Sequence, residues 1–340
     1  MHFQNILTMK RLILFIPLIM IFLGCGNKPA ATVVESSVSD TATVYMIHDV
    51  SAAALVRVYR ALGVEPTGRV AVKISTGESG GNHYLKPELI GGLVRLVNGT
   101  IVECNCAYPG HRDASEEHWQ TIKDHGFLEV GPVDIMDEEG DMRIPVRDTA
   151  LLKYNLVGSH LANYDFMINL AHFKGHPMAG FGGVLKNQSI GVASANGKLL
   201  IHTAGDHEEM EHRVKAWANA VAATKQDHFC EAMAVAAQSV ADYFEGRIIY
   251  IDVMNNLSVD CDCLSHPQAP KIKDVGILAS TDPVALDQAC LDIIFRMQKD
   301  AENNPEPLQR RIRSRHGTHT VDYAEQIGLG TKRYRLVEVE

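Results

Sequence analysis

From residue 43 onward, apolar runs of strand length alternate with stretches whose apolar positions recur at helical spacing. "TVYMIHDV" (43–50) and "RVAVKIS" (69–75) read as strands, and "SAAALVRVYRALGV" between them as a helix with Ser51 at its N-cap. "PELIGGLVRLV" (87–97) carries a proline in its first helical turn, "TIVECNC" (100–106) returns to strand, and "ASEEHWQTIKDHGF" (114–127) is helical up to its glycine. "VDIMDE" and "YDFMINLAHF" (164–173) read as strands, followed by a long helical pattern from Glu208 to about Phe244. "RIIYIDVM" (247–254) and "VGILAST" (275–281) are strands, and "DPVALDQACLDIIFRM" (282–297) is a helix opened by an Asp cap and an N1 proline. This alternation predicts an α/β fold: a mostly parallel sheet flanked by helices in Rossmann-like layers, as a single domain over 44–340 with room for two lobes.

The first 43 residues break the pattern. "MKRLILFIPLIMIFLGCGNK" has a basic start (Lys10, Arg11), an apolar run from Leu12 to Leu23, then Gly24-Cys25. The run is short for a membrane span and has the form of a signal peptide. A small residue followed by Cys at its end resembles a bacterial lipobox. The expectation is a lipoprotein signal peptide over 1–24, with acyl chains such as palmitate on Cys25. A plain secretory signal with an incidental cysteine is the alternative. Residues 26–43 are small, polar and aperiodic, so 25–43 reads as a flexible tether. The expected location is the extracytoplasmic side of a bacterial cell envelope, on a membrane through lipid rather than through a helix.

Apolar content of 46% and 21% charged residues are ordinary globular values over 340 residues. The net charge of −9 grows more negative when Lys10 and Arg11 are lost with the leader. With no long basic run, nothing offers the basic field of a nucleic-acid binder.

Four polar loops follow strands: "STGESGGNHYLKP", "CNCAYPGHRD", "HFKGHPMAGFGG" and "NNLSVDCDCLSHP". In α/β sheets, ligand-binding loops gather at the strands' carboxyl ends, so these four are expected to converge on one crevice. "NLAHFKGHPMAGFGGVLKNQSIG" (169–191) is the densest. Gly175, Gly180, Gly182 and Gly183 allow close approach of backbone to a ligand. His172, Lys174, His176 and Lys186 bring donors and titratable groups to the same place, as candidate acid/base and anion-holding residues. Gly180, Gly182, Gly183 and Asn187 are candidate cofactor contacts for a small anionic ligand. The spacing is neither a P-loop nor a dinucleotide fingerprint. A tight glycine turn with surface histidines is the plainer alternative.

"VDCDCLSHPQAP" holds a second constellation: Cys261, Cys263 and His266, with Asp260 and Asp262 interleaved. Thiolates with imidazole suit zinc or iron. "ECNCAYPGH" adds Cys104, Cys106 and His111. The two C-x-C pairs can form a metal site, disulfides favoured by an oxidising compartment, or unrelated buried thiols. Cys230 and Cys290 fall on helical patterns and read as core residues. Glu78 and His83 are weaker candidates for base or ligand. His202, His207 and His212 read as a solvated helix start rather than a metal patch, and Asp274 and Asp287 as helix-surface or capping groups.

"AHFKGHPMAGFGGVLKN", "CDCLSHPQAP", "DVGILASTDPVALDQACLD" and "VKISTGESGGNHYLKP" closely resemble the family called domain of unknown function 362, over most of residues 44 to 298. Members are often described as having an iron–sulfur centre. Many relatives carry a ferredoxin-like insert after the glycine stretch. Here "SANGKLLIHTAGDHEEMEHRVKAW" stands there, with no cysteine between Cys106 and Cys230. The ligands for two such clusters are therefore missing, although the C-x-C-x-x-H loop matches the family and can still hold a metal. His176 to Lys186 is also similar to nickel-dependent lactate racemases, where a His and a Lys serve proton transfer and cofactor attachment. The resulting expectation is a metal-dependent enzyme of the cell envelope acting on a small anionic substrate. The rivals are a non-enzymatic binder of a metal or anion and a redox protein with an Fe–S site.

Overall fold

The structure, a computed structural model, describes residues 41–207 and 213–340. The leader, Cys25, most of the tether and His212 lie outside the described residues. The strands are β1 (Ala42–Ile47), β2 (Val70–Lys73), β3 (Thr100–Glu103), β4 (Val133–Ile135), β5 (Asp141–Ile144), β6 (Asn155–Gly158), β7 (Phe166–His172), β8 (Lys174–His176), β9 (Gly180–Gly182), β10 (Ile248–Met254), β11 (Gly276–Ser280) and β12 (Tyr334–Glu338). The helices are α1 (Ala52–Ala61), α2 (Pro87–Leu96), α3 (Ser115–Asp124), α4 (Val184–Ser189), α5 (Ala195–His202), α6 (Arg213–Ala223), α7 (Gln226–Phe244), α8 (Pro283–Arg296), α9 (Glu306–Ser314) and α10 (Gly317–Gln326).

Eight strands form one sheet in the order β12-β1-β11-β10-β7-β2-β3-β4. β11 alone runs against the others, pairing antiparallel with β1 and β10. The fold is thus α/β with a mostly parallel sheet. The central strands β7 and β10 are buried along their whole length, as expected where helices cover both faces. Their side chains alternate between two cores. In β10, Ile249, Ile251 and Val253 join the core under α1 and α2, whereas Ile248, Tyr250 and Met254 join the core under α7 and α8. The expected caps form: Ser51 Oγ accepts from Ala54 N–H, and Asp282 Oδ1 accepts from Val284 and Ala285 N–H.

Two expectations change. The long helical pattern ending at Phe244 divides into α6 and α7, separated at Thr224–Lys225, where Lys225 has extended backbone (ψ 137°). The glycine stretch is a hairpin rather than an open loop, with Lys174 paired to Gly182 and His176 to Gly180. A Cβ on Gly175 would lie 2.2 Å from Val259 O, so the missing side chain lets this hairpin press against the C-x-C loop. Gly175 N–H donates to Ser258 O there.

The placement of the site follows from strand order. From β2 the chain proceeds to β3 and β4 on one side, while β7 leads to β10 on the other. The β2–β7 boundary is therefore a topological switch point, where loops leaving adjacent strands part and open a crevice.

Candidate functional site

At that boundary lies a cavity of about 260 Å³. β2 contributes Lys73, and the loop after β3 contributes Cys104, Cys106, Tyr108 and Arg112. The end of β7 and the β8–β9 hairpin contribute His172, Lys174, His176, Gly182 and Gly183. Lys186 and Asn187 enter from α4, Lys198 and His202 from α5, and Cys261 and Cys263 from the loop after β10. Three of the four polar loops therefore line one space. From the first, only Ser75 reaches it.

Asp262 organises one wall. Its carboxylate takes His172 Nδ1 at 2.9 Å and Lys174 Nζ at 2.9 Å, all three groups being buried. Burial alone would raise the Asp262 carboxyl, but the charges of His172 and Lys174 outweigh it and hold the group well below the usual carboxylate range. His172 Nε2 lies 2.6 Å from Asn255 O, so both ring nitrogens are occupied within the protein. Both His172 and Lys174 thus hold structure here rather than facing a substrate with a free group.

Cys261, Cys263 and His176 form the adjoining wall, with one ligand atom from each within 4.8 Å of the others. A hydrogen bond from Cys263 holds the Cys261 thiol well below its ordinary range; burial opposes it, and His176 and Lys186 add to the depression. Cys263 N–H also points at Cys261 Sγ, at 3.3 Å. Cys263 moves the other way: its hydrogen bond to Cys261, and burial with it, push the Cys263 thiol well above its ordinary range. His176 Nδ1 accepts N–H bonds from Ala179 (2.9 Å) and Met178 (3.2 Å), which places the ring proton on Nε2, beside the Cys261 sulfur. Burial pulls His176 down to about 4, so the ring is neutral.

The two sulfurs fit a soft or borderline cation. The imidazole fits less well. A metal-bound histidine normally donates its second N–H to an acceptor, whereas Nδ1 here is itself an acceptor.

Cations dominate the rest of the lining. Arg112 is neutralised by Glu103 (2.9 Å) and Glu78 (3.4 Å), in a buried network that also includes Thr76 and His118. Lys198 donates only to the Ala193 carbonyl, at 2.6 Å, and neither it nor Lys186 joins an ion pair among the described residues. Lys73 donates to Ile74 O at 2.5 Å and Asn187 Oδ1 at 3.1 Å. Three lysines without a carboxylate partner make the cavity ready for a small anion.

α4 is held by a carboxyl pair beneath it. Asp287, on α8, accepts from Val184 N–H (2.9 Å) and Leu185 N–H (3.1 Å), the first turn of α4. Asp252, on β10, faces Asp287, and its Oδ1 meets no other donor among the described residues. A proton on Asp252, shared with Asp287, supplies the missing bond. Burial and the Asp287 charge raise Asp252 well above the usual range, and burial raises Asp287 to about 6. Asn187 then donates to Asn169 Oδ1 (2.7 Å) and Lys73 O (3.0 Å), tying α4 to β7 and β2.

Several expected site residues sit elsewhere. His266 is exposed, bonded to Ser265 Oγ, and outside the sulfur group, where His176 takes its place. Cys104 and Cys106 line the cavity but do not join that group. Burial pushes both thiols up, and Cys104 donates to Val192 O. The described cysteines are all free thiols. Gly180 packs under Gly317 and Ile312, not against the cavity, and its φ of +83° serves the hairpin turn. His111 is exposed. His202 is buried in the cavity wall, stacked on Phe229, rather than at a solvated helix start; His207 is exposed. Asp287 is a cap, as one reading had it, but it is buried and caps a different helix. Asp274 caps the turn at Asn256, and Glu78 serves Arg112. Lys73, Glu103, Arg112, Lys198 and Tyr108 were not singled out by sequence spacing.

Fold and site together define an α/β protein with a lysine-rich, thiol-bearing cavity at a sheet switch point. Residues 70–292 match the family described as domain of unknown function (DUF362), and the chain belongs to that family. No curated protein matches the chain. Among solved structures, the lactate racemase apoprotein from Thermoanaerobacterium thermosaccharolyticum is similar at 14% identity and a TM-score of 0.41. The match covers 75% of this chain and spans 58% of that protein's length.

Proposed function

We propose that this chain is a metal-dependent enzyme of the cell envelope that binds a small anionic substrate at the switch-point cavity. The observation that carries this reading is the His176, Cys261 and Cys263 group in the wall of a cavity that also holds three unpaired lysines. Cys261 and Cys263 would hold the metal, zinc or iron, with His176 as a weaker third ligand, because ligation through Nε2 displaces the proton it now carries. A metal held there would supply Lewis acidity to an oxygen of the substrate. Lys186 and Lys198 hold the anionic group, Gly182 leaves room for it, and the Asp262 carboxylate keeps the C-x-C loop docked on β7. Delivery to the envelope rests on the leader and Cys25, and the acyl chains there are the membrane contact; no described helix is long and apolar enough to cross a membrane.

The test is metal content and thiol count of protein purified from its own compartment, followed by zinc titration of the reduced chain. One equivalent of metal, lost in Cys261→Ser and Cys263→Ser and weakened less in His176→Gln, is the expected result. Absence of metal uptake with both thiols free would end the metal reading. The occupied nitrogens of His172 and His176 favour a second reading, a non-enzymatic binder of the same anion, since neither ring has a basic nitrogen free to move a proton. Membrane fractionation of Cys25→Ala against the parent tests the anchor: release into the soluble fraction is expected.

A further inference from the structure

Lys73 is the fully buried amine of the cavity wall, at the carboxyl end of β2. A charged lysine there would have three hydrogens to place. The protein supplies two acceptors, Ile74 O and Asn187 Oδ1, and no carboxylate within ion-pair distance among the described residues. Glu103, the acid of the same wall, is already bound by Arg112, Thr76 and His118. Two acceptors match the two hydrogens of a neutral amine, whose lone pair is then left for the remaining direction. Space beside the amine is kept open by Gly191, where a Cβ would fall 2.7 Å from Nζ. Asn187 holds the arrangement rigidly through its bond back to the Lys73 carbonyl. Burial pulls the amine down to about 8; Glu103 and Cys104 oppose this, while Lys198 and Lys186 reinforce it.

We propose that Lys73 is a carbonyl-capturing residue for a small 2-oxo acid or similar anionic carbonyl compound, whose carboxylate is held by Lys186 and Lys198. The Nζ lone pair forms a bond to the carbonyl carbon as the C=O π bond passes its electrons to oxygen. The two amine hydrogens leave with that oxygen as water, and an imine remains; no oxidant or reductant takes part. A proton taken up from solvent onto the imine nitrogen gives it one N–H for Ile74 O or Asn187 Oδ1. Desolvated lysines beside other cations are the ones suited to this chemistry. The inference rests on the reading of the cavity as an anion site, and it is independent of the metal.

The test treats the full chain at pH 8 with pyruvate and sodium cyanoborohydride, which reduces an imine to a stable secondary amine, and maps the modified lysines by peptide mass. Labelling of Lys73 should exceed that of exposed lysines by about tenfold or more, because an ordinary lysine titrates near 10.4. Lys186→Ala should lower the Lys73 yield severalfold. Labelling confined to exposed lysines would overturn the proposal. Pyruvate without reductant, followed by thermal shift, separates the two ideas. A shift without a Lys73 adduct overturns carbonyl capture and leaves the anion site standing. Neither shift nor adduct overturns both.

Discussion

Asp262 Oδ1 stands 2.9 Å from His172 Nδ1, with both side chains almost wholly out of solvent. That contact joins the C-x-C loop to the end of β7, and Lys174 completes it from the hairpin. Asp262→Ala would leave the buried Lys174 amine and His172 ring without their carboxylate partner, a change that costs about 3–5 kcal/mol in comparable pairs. Chemical denaturation should show a loss of that order. Asp260→Ala is the milder comparison: it breaks a partly buried pair with Arg311 at 3.4 Å and the bond from Gln268 N–H, and should cost about 1–2 kcal/mol. The Asp262 carboxyl is depressed in the folded state, so its stabilisation is complete above the unfolded value near 4 and is lost as pH falls below it. Asp262→Ala should therefore flatten the acid limb of the stability curve.

Cys261 and Cys104 are both buried, yet their thiols move in opposite directions. Cys261 is lowered by Cys263, His176 and Lys186, and Cys104 is raised by burial. The thiolate is the reactive form. Iodoacetamide at neutral pH should modify Cys261 well ahead of Cys104, as peptide mapping would read. Cys263→Ala removes the hydrogen bond and should slow Cys261 labelling severalfold. Zinc added beforehand should protect both residues of the pair. Uniform labelling of all the cysteines would contradict the site's electrostatics.

The carboxyl pair under α4 makes a pH prediction of opposite sign. Asp287 and Asp252 are both raised in the folded state, so whatever they contribute is present at low pH and lost as pH rises through about 6. Asp252→Asn keeps a donor for Asp287 without a second acid. Relative to the parent it should gain stability at pH 8 and show little gain at pH 5. Asp287→Ala strips the acceptor from Val184 and Leu185 N–H, and should cost about 2–3 kcal/mol. Because α4 carries Lys186 and Asn187, it should also weaken anion binding.

What the sequence disclosed, and what it hid, has a physical pattern. The α/β alternation was legible because β7, β10 and their helices carry strong periodicity. The hairpin strands β8 and β9 and the polar α9 were not, because short or charged elements carry little of it. Cys261, Cys263, His176 and Lys186 stood out because chemistry-bearing side chains crowd glycine-rich strand ends. His266 misled because nearness in sequence says nothing about where a ring points: three residues past a C-x-C, its side chain faces solvent. Lys73 left one signal, a charge inside the strand "VAVKI", and fully buried lysines are rare enough to make that informative. Lys198 and Arg112 left none, since a basic residue in a helix or loop is ordinary until tertiary packing encloses it.

The adjacent glycines Gly182 and Gly183 should respond differently to the same substitution. A Cβ on Gly183 would lie 2.3 Å from Asp287 Oδ1, inside the carboxylate that caps α4. Gly183→Ala must displace Asp287 or the helix, and overpacking of this kind costs about 1–3 kcal/mol. A Cβ on Gly182 would meet only the stems of Lys174 and Lys186, at 3.5 Å, which is ordinary contact. Gly182→Ala should therefore keep the parent's melting temperature within a degree or two (by the usual scaling of a few tenths of a kcal/mol). It nevertheless adds a methyl group between two lysines at the cavity wall. Pyruvate should then bind severalfold more weakly by calorimetry, although the protein is equally stable. Full affinity in Gly182→Ala would show that the anion does not approach the wall between Lys174 and Lys186, and would move its binding site toward Lys198.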